Sequence, residues 1–187
     1  MSAAPKTLPD SEPFTFEDYL IWEEDQEERH EFINGRVLAM AGASDAHELV
    51  AVNLLVEIHN HLRGRGCRAY KGDMKLRYRA GQVDLSYYPD VMVVCDPEDD
   101  HSSYKEKPVF LAEVMSRFKT DHFEKLFIYQ QIGTLEEYLV LSQNPDEPAA
   151  WLYRRADGWK MPEPITAGEI SLASLGLSLT LKELYRS

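Results

Sequence analysis

The sequence is short of cysteine, of long apolar runs and of basic residues. Two cysteines in 187 residues, Cys67 and Cys95, do not make a disulfide framework. Each lies in an apolar stretch, so both are expected to be buried thiols in a reducing cytoplasm. The longest apolar runs are a few residues, as in Val91-Met92-Val93-Val94-Cys95, too short for a membrane-spanning helix. The first residues, MSAAPKTLPD, hold no apolar segment and do not read as a signal peptide. There is no glycine loop to cradle a phosphate, no His/Cys zinc spacing and no nucleophile elbow. Lys and Arg total 20 against 32 Asp and Glu, a formal net charge of −12. That balance argues against a general polyanion binder.

What is present is the composition of a folded domain. Hydrophobic residues make up 44% and aromatics 11%, more than a disordered chain carries. The length suits one domain over residues 14–187, and the three prolines of residues 1–13 read as a flexible arm. Charge is unevenly spread. Residues 1–35 hold ten acids and two bases, whereas residues 62–79 hold seven bases and one acid. One edge of an acidic molecule can therefore face an anion, or pair with the acidic N-terminal stretch.

Local signals predict a mixed α/β domain, one sheet with helices before, within and after it. Thr15 and Asp18 have the spacing of a capping box ahead of FEDYLIWEED. HEFINGRVLAM alternates about Asn34-Gly35, a strong hairpin signal. Ser44-Asp45 opens a helix on which Val50, Leu54, Leu55, Ile58 and Leu62 recur, and Gly64 and Gly66 end it. Strands are expected at 67–71, 74–79, 90–96, 109–115 and 137–142. Residues 81–89 read as a turn region and 97–107 as a polar loop. A helix runs from Thr120-Asp121 to Gly133. A hairpin is expected about Asp157-Gly158, and a short helix near Leu181 to Tyr185.

Chemistry is signalled by acids inside apolar strands. Asp90 opens VMVVC, and Glu113 interrupts Val109 to Met115. A buried carboxylate is costly unless it is paired, protonated or bound to a metal. Glu113 alone fits a salt bridge to Lys125, and Asp90 alone fits a turn acceptor after Pro89. Together, on two strands joined by a loop, they fit an oxygen site for a hard divalent ion. Lys125, on the following helix, can reach back toward them, and Glu31 is a candidate fourth member.

Four stretches then carry a resemblance: HEFINGRVLAMAGASDAH, YPDVMVVCD, PVFLAEVMS and DHFEKLFIYQQIGTLEEYLVL, with LYRRADGW closing it. In their order and spacing the chain resembles the Uma family, restriction-endonuclease-like proteins of the PD-(D/E)XK nuclease superfamily. The resemblance implies a restriction-endonuclease-like core: a central mixed sheet flanked by helices, with an N-terminal helix and β-hairpin. It sets the motif proline and aspartate on Pro89-Asp90 and the motif glutamate on Glu113. The superfamily's lysine position is Met115 here, and the family's replacement from the next helix falls on Lys125. Glu31, His47 and Asp121 also match. The usual serine-proline-serine-threonine run after the glutamate is replaced by Ser116-Arg117-Phe118-Lys119-Thr120, and Lys119 is an alternative lysine.

The implied activity is Mg²⁺- or Mn²⁺-dependent phosphodiester hydrolysis, with DNA as the expected partner. Asp90, Glu113 and the Val114 carbonyl are the expected metal ligands, and Glu31, Asp90, Glu113 and Lys125 the catalytic set. Lys71, Lys75 and Arg77 are expected to contact the nucleic-acid backbone. A homodimer is expected by analogy with nucleases that cut both strands, and Phe14, Trp22, Phe118 and the leucines Leu172, Leu175, Leu177 and Leu179 serve equally as a dimer face or as core. Two other readings stay open: a binding protein on a retired nuclease core, and a metal-dependent hydrolase of a non-nucleic phosphate.

Overall fold

Thr15 starts the first helix by the reciprocal device its spacing predicts. Its hydroxyl accepts from the Asp18 N–H at 3.1 Å, and Asp18 Oδ2 accepts from the Thr15 N–H at 3.1 Å. The computed structural model describes residues 14–115 and 120–186, without the side chains of residues 120–122. The arm expected over residues 1–13 lies outside the described residues. Helix α1 spans Phe16–Glu23. Strands β1 (His30–Ile33) and β2 (Arg36–Ala39) close through Asn34 and Gly35, both at positive φ, as a two-residue hairpin turn requires. Ser44 caps helix α2 (Asp45–Leu62), accepting from the His47 N–H at 3.2 Å, and so fixes His47 in the first turn.

The remaining elements are β3 (Arg68–Lys71), β4 (Lys75–Ala80), β5 (Val83–Tyr87), β6 (Val91–Val94), β7 (Tyr104–Lys105) and β8 (Pro108–Met115). After them come α3 (Thr120–Tyr129), β9 (Glu137–Ser142), β10 (Ala150–Arg154), β11 (Glu169–Leu172), β12 (Leu177–Thr180) and α4 (Leu181–Leu184). One sheet runs β2-β1-β5-β4-β7 and a second β10-β9-β8-β6-β3, with β11-β12 as a separate hairpin. Strands β8 and β9 are parallel, and α3 lies in the crossover between them. The second sheet is buried on both faces. Val91, Val93, Phe110 and Leu139 pack on α2, while Met92, Leu111 and Val140 pack with Leu76 and Leu85 of the first sheet. Double burial is why β6 reads as an unbroken apolar run and β8 as one interrupted only by Glu113. No helix among the described residues is long and apolar enough to cross a membrane.

Several expectations are corrected. Residues 83–87, read as part of a turn region, are β5, the strand joining β1 to β4. The turn is only Gly81-Gln82, between the paired Ala80 and Val83. The polar loop contains β7, parallel to β4. No strand forms at Trp159-Lys160, so Asp157-Gly158 does not turn a hairpin. The partner of β10 is β9, and the Arg155 side chain ties the turn to the carbonyls of Ile132 and Leu135. Cys67 and Cys95 are bonded, not free thiols. The register Arg68↔Val94, continued by one residue, sets them face to face with Cα atoms 4.1 Å apart. Leu172, Leu175 and Leu179 are core residues, so they offer no dimer face.

Candidate active site

Strands β6 and β8 bring the two motif acids together. Val91 pairs with Ala112, so one step back along β6 sets Asp90 opposite Glu113. Asp90 Oδ2 accepts the Val114 N–H at 2.7 Å and lies 3.1 Å from His47 Nε2. From α3, Lys125 Nζ sits 3.1 Å from Glu113 Oε1 and 3.1 Å from Glu31 Oε1 on β1. The Tyr129 hydroxyl, one turn further along α3, donates to Glu113 Oε1 at 3.0 Å. The acids, the histidine and the lysine line one cavity of about 860 Å³, where β6 and β8 meet the hairpin and the start of α2.

Burial sets the electrostatics. It pushes the Glu113 carboxyl up to about 7, with Asp90 adding to the rise and Lys125 opposing it. Burial works against the Lys125 charge, but Glu113 and Glu31 outweigh it and hold the ammonium above its ordinary range. The hydrogen bond to Asp90 raises the His47 pKa, against the opposing effect of burial. Burial keeps the Tyr129 phenol protonated, and so a donor.

Residues 16–182 match a family model described as "Uma2: Putative restriction endonuclease". The chain belongs to the Uma2 family. Two Synechocystis proteins, both described as uncharacterized, are similar to it. One, slr1290, is 33% identical over 177 residues, covering 91% of this chain and 90% of its own. The other, sll1609, is 31% identical over 134 residues, covering 69% and 75%. A crystal structure from Anabaena variabilis, described as a putative nuclease belonging to DUF820, superposes with a TM-score of 0.73 at 17% identity. It covers 92% of this chain and 98% of that one, and bears out the restriction-endonuclease-like fold.

Of the residues expected at the site, Glu31, Asp90, Glu113, Lys125 and His47 converge in the structure. Asp121 and Lys119 lie outside the described side chains. The basic strands behave differently from expectation. Lys71 is on the cavity rim, half-exposed, with its ammonium 2.6 Å from Glu48. Lys75 lies over the Tyr88 ring at 5.2 Å, and burial lowers its pKa. Arg77 is a correction. Its side chain is 6% exposed, paired with Asp84 and Glu17 and stacked 3.8 Å from the Phe16 ring centre, so it does not face a nucleic acid. Tyr129 does not stand out in the sequence, although its position four residues after Lys125 on one helix face is the signal that finds it.

The donor set suits a hard cation rather than a soft one. Among the described residues no group of three or more His, Cys, Asp or Glu side chains is placed to hold a metal ion by itself. Asp90 and Glu113 offer oxygens only. Described donors occupy Asp90 Oδ2 and Glu113 Oε1, and none lies on Asp90 Oδ1 or Glu113 Oε2. Two open carboxylate oxygens with a backbone carbonyl and waters are what Mg²⁺ or Mn²⁺ accepts.

Proposed function

We propose that the protein is a metal-dependent nuclease that hydrolyses phosphodiester bonds in DNA. The observation that carries this reading is the placement of Asp90 opposite Glu113, with Lys125 Nζ 3.1 Å from Glu113 and Glu31, in one cavity. Membership of the Uma2 family and the likeness to the Anabaena putative nuclease support it. Asp90, Glu113 and the Val114 carbonyl would hold Mg²⁺ or Mn²⁺. Such an ion lowers the pKa of a bound water and stabilises charge on the phosphoryl oxygens. The chain's own groups do the rest. Lys125, held charged by two carboxylates, orients a water at its ammonium and offsets charge building on the phosphate. Tyr129 fixes one oxygen of Glu113 and His47 one oxygen of Asp90, and the other oxygen of each has no donor among the described residues. Lys71, half-exposed on the cavity rim, is a cation that a phosphate backbone can reach.

A second reading, a retired nuclease core acting as a binding protein, draws on the same lysine. Lys125 between Glu31 and Glu113 is complete as an ion-pair triad without a metal. Calorimetric titration of Mn²⁺ in phosphate-free buffer separates the two. The nuclease reading expects saturable binding in the wild type and none in Asp90→Asn. Absence of binding to either protein up to several millimolar favours the retired core. With a DNA substrate in hand, Asp90→Ala that still cuts at the wild-type rate would overturn the site assignment.

A further inference from the structure

Glu23, the last residue of α1, is a buried carboxylate outside the cavity, and it holds two segments at once. Its Oε1 accepts the His30 N–H at 2.8 Å and the Tyr88 hydroxyl at 2.8 Å. Its Oε2 lies 3.1 Å from His30 Nδ1. From the same helix, the Tyr19 hydroxyl donates to the His30 carbonyl at 2.6 Å. Both backbone polar groups of His30 are therefore taken by α1. His30 directly precedes Glu31. Tyr88 stands two residues before Asp90, across a proline whose ring fixes φ and stiffens the link.

We infer that Glu23 is a positioning residue that sets Glu31 and Asp90 in place from α1. The inference rests on the nuclease reading for its purpose, not for its geometry. Successive strand residues point to opposite sides, so gripping His30 from α1 turns Glu31 away toward the cavity. Anchoring the Tyr88 hydroxyl fixes how Pro89-Asp90 leads into β6, and so the oxygen that the Val114 N–H meets at 2.7 Å. Among the described residues no Lys or Arg lies within ion-pair distance of Glu23, and a buried carboxylate is an expensive way to end a helix. Here it is an acceptor shared by donors from both acid-bearing segments.

The test uses the intact chain and two readouts. Amide exchange at Val114, followed by NMR, reports whether Asp90 is in place without any metal. Glu23→Ala and Tyr88→Phe should speed it about tenfold, the loss expected when one hydrogen bond fails. The amides of Leu139 and Leu152, in the paired strands β9 and β10, should keep their wild-type rates. Glu23→Gln, which retains the acceptor oxygen, should restore slow exchange at Val114. In calorimetry the first two variants should bind Mn²⁺ about tenfold more weakly, the usual effect of losing a supporting hydrogen bond. Should Glu23→Ala not fold, Tyr88→Phe, which removes one hydroxyl, decides alone. Wild-type exchange at Val114 in Tyr88→Phe overturns the inference. A wild type that binds no Mn²⁺ overturns the metal reading instead and leaves the amide result to judge Glu23.

Discussion

Two buried glutamates, on adjacent parallel strands of the second sheet, are treated in opposite ways. Glu137 pairs in register with Phe110, and Glu113 with Val140, so the two acids face opposite sides of the sheet. Both are nearly inaccessible, at 2% and 6% exposure. Glu137 is surrounded. Its oxygens accept from Arg154 Nε at 3.1 Å, from the Ala173 and Ser174 N–H groups at 3.2 and 2.9 Å, and from the Ser174 hydroxyl at 2.6 Å. Glu113 has two described donors, Lys125 and Tyr129, both on the same oxygen. One carboxylate is closed by its neighbours and ties the β11-β12 hairpin to the sheet. The other is left half-open beside a cavity. Burial alone does not separate a closed acid from an open one, whereas the number and placement of donors does.

Substitution should invert the two roles. Glu137→Ala strands Arg154 and the donors of the hairpin and should cost about 3–5 kcal/mol, the range for breaking a buried pair. It should leave Mn²⁺ affinity near the wild-type value. Glu113→Gln should abolish Mn²⁺ binding and cleavage, yet change stability at pH 6 by less than about 1 kcal/mol, since the amide resembles the protonated acid. Urea unfolding and calorimetry on the same samples check both. Equal stability losses in the two variants would break the contrast.

The two acids also show how far the sequence can be read. Each is an acid in an apolar strand, and only Glu113 stands out, because Pro89-Asp90 offers it a partner. The closed shell of Glu137 comes from Arg154 and from Ala173 and Ser174, and no local pattern joins those positions. Signals within a few residues are reliable: the Thr15 and Asp18 box, the Asn34-Gly35 turn and the Ser44 cap all form as spaced. Strand β5 is hidden because its glycine and proline flanks resemble a turn, although only two residues separate it from its partner β4. The Cys67–Cys95 bond depends on the β3/β6 register, which composition does not carry. Arg77 misleads because counting charge ignores burial. Its strand neighbours Lys75 and Arg79 are basic too, yet the Phe16 ring and Asp84 cover Arg77.

The open acid should also mark itself in pH dependence. In the folded chain Glu113 holds its proton up to about 7, against an ordinary value of 4.5. Between those limits the folded state binds more protons than the unfolded state. Stability from this group is therefore full below pH 4.5, falls as pH rises through the window, and levels off above about 7. Unfolding free energies from about pH 4.5 to 8 should show this decline in the wild type relative to Glu113→Gln. Parallel curves for the two proteins would remove Glu113 from the titrating groups.

The smallest effect is the most selective. Tyr129 and Tyr138 are both fully buried tyrosines beside Glu113, with their rings edge to face at 5.1 Å. The Tyr129 hydroxyl donates to Glu113, while the Tyr138 hydroxyl has no hydrogen-bond partner among the described residues. Tyr129→Phe should cost about 1 kcal/mol, the net worth of one hydrogen bond. It also removes a donor from the carboxylate, which disfavours the charged form and moves the Glu113 midpoint to higher pH. Tyr138→Phe discards a hydroxyl that gains nothing from burial, so stability should hold or rise slightly and the midpoint should stay where it is. A matched pair of pH–stability curves reads both. If the two variants shift the midpoint equally, the hydroxyl of Tyr129 is not what holds the closed oxygen of Glu113, and the half-open state of that acid rests on Lys125 alone.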